Sequence, residues 1–193
     1  MKNVIKVLSV VVLVLITSVC FAAESKILAI KAYIPQQNAL NVTVSKVTGT
    51  VWTAAAGGLE FGNLSFDPVL GIFTAPFYYA VDVGINSNAT DYTVTHTRTS
   101  MVNTTGTSNL DSNINVTFMK QTSSTAGTQI EKVTYANSNS KAYNKAYLAG
   151  GWLRIYYGIA TGKVADDATG ASPITNLKAY GQYSGQVTIS LTP

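Results

Sequence analysis

Apolar and hydroxyl residues alternate along much of this chain, most regularly at its end. Val187, Ile189 and Leu191 fall on one side, and Thr188, Ser190 and Thr192 on the other. A period of two built on β-branched residues predicts a strand with one buried face. Gly181 and Gly185 come just before it, where a turn needs positive φ or two backbones approach closely. Pro193 has no N–H to extend the ladder. A strand of this kind is not stable alone, because its buried face and both edges need partners.

The same reading extends back along the chain. Lys26–Ile34 places Leu28, Ile30, Ala32 and Ile34 on one side and ends at Pro35. Asn41–Val47 sets Val42 and Val44 against Thr43 and Ser45, with Thr50–Thr53 as a continuation after Gly49. Ser65–Phe77 mixes Pro68, Gly71 and Pro76 with aromatics, which predicts an ordered loop against a sheet end. Tyr78–Ile85 aligns Tyr79, Val81, Val83 and Ile85. After a turn at Asn86-Ser87-Asn88, Asp91–Thr97 aligns Tyr92, Val94 and His96, and the pair predicts a hairpin.

Ser100–Asn113 is a polar loop with Gly106 at its tip. Ile114, Val116 and Phe118 mark a strand, Ile130–Tyr135 a short one, and Gly151–Ile159 an aromatic-rich one holding Trp152, Tyr156 and Tyr157. Asn137–Asn144 and Gly162–Asn176 read as loops. About eight or nine short strands without a helix predict an all-β, antiparallel sandwich, since one open sheet would leave half of these faces wet.

The first residues carry a different pattern. Two lysines in Met1–Lys6, the apolar run Val7–Val19 and the small residues around Cys20-Phe21-Ala22 have the layout of a signal peptide. The expected cut follows Ala22, with Ala23 the next choice, giving a signal over 1–22 and one domain over 23–193. The rival is a retained anchor, but the run is short for a bilayer span of roughly 20 residues. Val19 is too bulky for the position before a lipidated cysteine. The expectation is therefore an exported chain that leaves the membrane after cleavage.

Composition sharpens this picture. Charged residues are 11% of the chain against 47% hydrophobic ones, where soluble domains usually carry about a quarter charged. Helices with solvated faces would need more charge. Removing Lys2 and Lys6 with the signal lowers the formal charge from +4 to +2, 11 basic residues against 9 acidic. No basic cluster then remains to hold nucleic acid. The single cysteine, Cys20, also leaves with the signal, so core packing and sheet pairing must stabilise the domain without disulfides.

Candidate chemistry is sparse. With one histidine and no mature cysteine, multi-imidazole and thiolate metal sites are excluded. His96 falls on the apolar side of its strand, where a satisfied or rim histidine is a commoner outcome than a catalytic one. In Gly181-Gln182-Tyr183-Ser184-Gly185 the serine stands one place too late for a nucleophile elbow. Asp166, Asp167 and Thr169 could offer oxygens to Ca²⁺, but their spacing is that of no defined calcium loop. Glu60 and Glu131 have no partner placed by sequence. The expectation is a non-enzymatic protein with no cofactor and no metal. Tyr79, Trp152 and Tyr156 are candidate ligand-face aromatics, although sheet aromatics also build cores and cross-strand pairs.

Two segments carry a family resemblance. Leu59-Glu60-Phe61-Gly62-Asn63-Leu64 resembles the Phe-Gly segment early in spore coat protein U-like and related chaperone–usher pilin domains. Gly181-x-Tyr183-Ser184-Gly185-x-Val187-Thr188-Ile189-x-Leu191 is similar to their closing strand. The cysteines common in those pilins are absent here, and Pro193 stands in place of their aromatic-containing tail.

The resemblance implies an immunoglobulin-like sandwich lacking one strand, filled by the N-terminal segment of the next subunit. Leu28, Ile30, Ala32 and Ile34 (within 23–34) would then be donor residues. The implied partners are further copies of the chain, a periplasmic chaperone and an usher, and the implied place is a surface fimbria or coat. The alternative is a self-contained secreted or surface module that binds carbohydrate or protein.

Overall fold

The computed structural model describes residues 31–56 and 58–193. The chain divides into two units, Met1–Pro35 and Gln36–Pro193. In the first, Lys31–Pro35 forms no strand and every residue is exposed. The expected signal peptide and the donor positions Leu28 and Ile30 lie outside the described residues. The strand expected over Lys26–Ile34 is thus not formed in its described part. Alternation makes a strand only where a neighbour supplies ladder hydrogen bonds.

Gln36–Pro193 is all-β, and its strands pair antiparallel. The main sheet has six strands. From one edge they are β2 (Val51–Ala54), β1 (Asn38–Thr48), β5 (Tyr78–Ser87), β11 (Trp152–Ile159), β8 (Ile114–Gln121) and β9 (Gly127–Thr134). Facing it is a three-stranded sheet of β10 (Lys141–Asn144), β6 (Thr93–Arg98) and β14 (Val187–Thr192), with β6 in the middle. Side chains from both inner faces meet in one core. His96 and Val94 of β6 and Tyr143 of β10 are buried with Val81, Val83, Val116, Phe118, Leu153, Ile155 and Tyr157 of the larger sheet. Tyr143 and His96 both pack their rings on Phe118.

The expected hairpin of Tyr78–Ile85 with Asp91–Thr97 does not form. β5 pairs with β1 and β11, whereas β6 pairs with β10 and β14. Residues 88–92 instead carry the chain from one sheet to the other. Alternation reports that each strand has one buried face, and two facing strands show the same pattern as two paired ones.

Smaller strands account for the rest of the difference from the sequence reading. The expected loop over Ser65–Phe77 holds a hairpin, β3 (Ser65–Asp67) with β4 (Ile72–Thr74), which β12 (Ile174–Thr175) joins. The Asp67 carboxylate accepts from the backbone N–H groups of Val69 and Leu70 and so closes its turn. The polar stretch 137–144 yields β10, and Lys145–Leu148 adds one helical turn capped by Asn144.

Tyr183-Ser184 (β13) pairs with Val102-Asn103 (β7), extending the β14–β6 ladder past a bulge. At that bulge Gly185 comes so close to Met101 that a Cβ would sit 3.1 Å from the Met101 Cα. This close approach is why glycine precedes the closing strand. The Phe-Gly segment is not a strand. Phe61 packs against the rings of Phe77 and Tyr79, at 6.0 and 5.4 Å between centroids, while Gly62 takes a φ of 63°.

Candidate interaction surfaces

The sandwich is left open between β14 and β1. Among the described residues, β14 forms a ladder only with β6 and no described strand pairs with its other edge, and β1 approaches it without joining it in a ladder. Residues facing inward along this seam are incompletely covered. Val42 pairs directly with Val83 on the inner face of the main sheet. Val83 is 0% exposed and Val42 is 39% exposed. Leu40 and Val44 beside it are half-buried, as are Val187, Ile189 and Leu191 on β14. Six aliphatic side chains therefore line a groove, and along one of its walls runs a strand edge that no described strand pairs with. Full burial of such a side chain stabilises by about 1.5–3 kcal/mol, so each half-buried one stands to gain about 1 kcal/mol from a cover.

The outer face of the main sheet carries a second surface. There Arg154 of β11 lies opposite Asp82 of β5. Its Nε and Nη2 donate to the two Asp82 oxygens at 2.6 and 2.8 Å, and its Nη1 donates to the Ser124 carbonyl at 3.1 Å. Trp152 Nε1 donates to Asp82 Oδ1 at 2.9 Å. The guanidinium is 4.8 Å from the Trp52 ring and 6.0 Å from those of Trp152 and Tyr156. Tyr156 in turn meets Tyr78 edge to face at 5.7 Å. Ser45 and Ala80 form the cross-strand row from Ala54 to Tyr156, which lies between the row of Trp52 and that of Arg154, and their small size leaves room for the indole to reach the guanidinium diagonally. Arg154 is 5% exposed although it is on an outer face. Its paired carboxylate raises its already high pKa, so it stays protonated.

Two shallow depressions flank this cluster. One, of about 440 Å³, includes Asn41, Thr43, Asp82 and Trp152, and the other, of about 530 Å³, includes Trp52, Thr125, Arg154 and Tyr156. Of the three candidate ligand-face aromatics, Trp152 and Tyr156 belong here. Tyr79 does not. It points the other way on β5, is buried, and donates its hydroxyl to the Glu60 carbonyl. Neighbouring strand residues point to opposite faces, so Tyr78 is the outward member of the pair. Sequence reading passed over Trp52 and Arg154; the signals available were that Arg154 alternates with Leu153, Ile155 and Tyr157 and so shares a face with Trp152 and Tyr156, and that both tryptophans lie in strand-like stretches.

His96 is fully buried between the sheets. Ser138 O accepts from Nδ1 at 2.8 Å, which leaves Nε2 to accept from the Tyr157 hydroxyl at 2.8 Å. Burial, with lesser contributions from Arg98 and Lys141, pushes its pKa below the ordinary value, against the opposing pull of the Ser138 carbonyl. Asp167 is likewise occupied by donors. It accepts from Asn115 Nδ2 and from the backbone of Thr161 and Gly162, the arrangement of a loop clasp rather than a cation cage. Among the described residues, no three His, Cys, Asp or Glu side chains gather to hold a metal. No described helix is long and apolar enough to cross a membrane.

Compared with protein-family models, curated proteins and solved structures, the chain finds no significant match in any of the three.

Proposed function

We propose that this chain is a structural subunit of a surface fimbria or coat, in which the groove between β1 and β14 takes a strand from the next copy. The observation that carries this reading is the half-covered seam beside the β14 edge, which no described strand pairs with. An added strand would bond to that edge and bury Val42, Ile189 and Leu191 with alternate side chains. The donor of matching pattern is Lys26–Ile34, whose Leu28, Ile30, Ala32 and Ile34 alternate in the sequence. In support, Ala32 and Ile34 are exposed and lie in no strand. Left open, such an edge invites uncontrolled pairing, so a chaperone in the periplasm would cover it until an usher delivers the subunit outside.

The test compares the mature chain with a deletion of Ala23–Ile34, both run on SDS gels with and without heating. The expected result is a ladder that heat collapses for the intact chain and monomer alone for the deletion. A synthetic Lys26–Ile34 peptide should raise the melting temperature of the deleted form. Identical monomers from both chains, with a peptide that leaves melting unchanged, would remove the strand-exchange reading.

A further inference from the structure

The outer face of the main sheet is built for something the strand groove does not explain. Both tryptophans of the chain, Trp52 and Trp152, bracket one guanidinium there. Trp52 is 44% exposed and Tyr78 38%. A face that met only water would need neither large rings nor a clamped arginine. Arg154 is held by both Asp82 oxygens and the Ser124 carbonyl, so the rings around it are set before any ligand arrives. Preorganisation of this kind lowers the entropy cost of binding.

We propose that this face is a binding site for a neutral glycan, with Trp52 and Tyr156 as stacking platforms. Charge decides the ligand class. Of the residues lining the two depressions, only Asp82 and Arg154 are charged, and they neutralise each other. An ionic ligand would find no unspent counter-charge. A sugar ring presents weakly positive C–H groups that suit the negative face of an aromatic ring. Its hydroxyls can meet the exposed polar side chains of Thr125 in one depression and of Asn41 and Thr43 in the other. The depressions are in the size range of small-ligand sites, about 300–1,000 Å³. A protein partner would instead need a broad patch of roughly 800 Å² with an apolar centre, whereas here hydroxyl, amide and glycine positions are interspersed with the apolar and aromatic ones around each depression.

The two tryptophans make the site report on itself, because intrinsic indole fluorescence comes from this face alone. The full mature chain is titrated with maltohexaose, cellohexaose, laminarihexaose and mannohexaose, and with sialyllactose and a heparin hexasaccharide as charged counterparts. The expected result is a saturable fluorescence change with at least one neutral oligosaccharide. Its affinity should fall at least about tenfold in Trp52→Ala and stay within about threefold in Trp52→Phe. If Trp52→Ala fails to fold, shifts of the two indole N–H resonances in the unaltered chain on adding the same sugar replace it.

No response to any neutral sugar at roughly millimolar concentration, a response to the charged ones only, or affinity unchanged in a folded Trp52→Ala would each overturn the proposal. Fluorescence that changes with protein concentration and not with sugar would assign the face to contact between copies, and would overturn it too. None of these outcomes bears on the strand groove, which lies on the opposite face of the sheet.

Discussion

Replacing Asp82 with alanine isolates the energetic centre of the outer face. The substitution removes both carboxylate oxygens from a guanidinium whose side chain is 6% exposed. It also takes the acceptor from Trp152 Nε1. What remains for Arg154 is the Ser124 carbonyl, a long contact to the Tyr156 hydroxyl at 3.5 Å and the faces of three rings. Stranding one partner of a buried pair costs about 3–5 kcal/mol. Asp82 itself is 29% exposed, so water can enter its place, and the expected loss sits at the lower end, about 3 kcal/mol.

Arg154→Met should cost less, about 1 kcal/mol, because the carboxylate it leaves behind is partly hydrated and the thioether chain fills the volume. The double variant should then resemble Arg154→Met alone, which means a coupling of about 3 kcal/mol, the whole cost of Asp82→Ala. Urea unfolding followed by tryptophan fluorescence and by far-ultraviolet circular dichroism measures all four corners of the cycle. Asp82→Ala within about 0.5 kcal/mol of the parent, or single costs that simply add, would show that Arg154 is held by ring packing and not by its carboxylate.

Acid should weaken the fold through His96. Its folded-state pKa lies below the unfolded value of 6.5, so the unfolded chain takes up the proton first. This group leaves stability unaffected above about pH 6.5. Stability then falls as pH drops below that, and levels off once pH has passed the lowered folded value. Denaturant midpoints measured from pH 8 to pH 4 (roughly the window of the imidazole) should show that slope, and His96→Gln should remove it while carboxylate titration continues. Val42→Ala should cost below about 1 kcal/mol in the unassembled domain, whereas Val83→Ala, its cross-strand partner, should cost about 2–3 kcal/mol. Adding the Lys26–Ile34 peptide should raise the cost at Val42 alone, and equal costs before and after addition would show that nothing occupies the groove.

Much of the all-β architecture was legible along the chain, because a one-sided strand writes its buried face into every second residue. Val81 and Val83, Val116 and Phe118, and Ile189 and Leu191 could be assigned to inner faces before any coordinates. The same rule put His96 on the apolar side of its strand, as a satisfied or rim histidine, and Gly185 where either a positive-φ turn or a close backbone approach was expected. Pairing could not be read this way. β5 and β6 carry the same alternation whether they bond side by side or face each other across the core, and only the tertiary structure chose the second.

The surfaces depended on it still more. Val42 and Val83 look equivalent in sequence, yet one is covered and the other is not, because coverage is set by where the opposite sheet ends. Trp52, Asp82 and Arg154 are far apart along the chain and meet only because β1 and β5 lie between β2 and β11 in the sheet. Tyr79 and Tyr156 looked alike as exposed aromatics until the direction of each strand's inner face was known. Local alternation says that a strand has an inside; which neighbours make that inside, and where it is left open, is a property of long-range pairing.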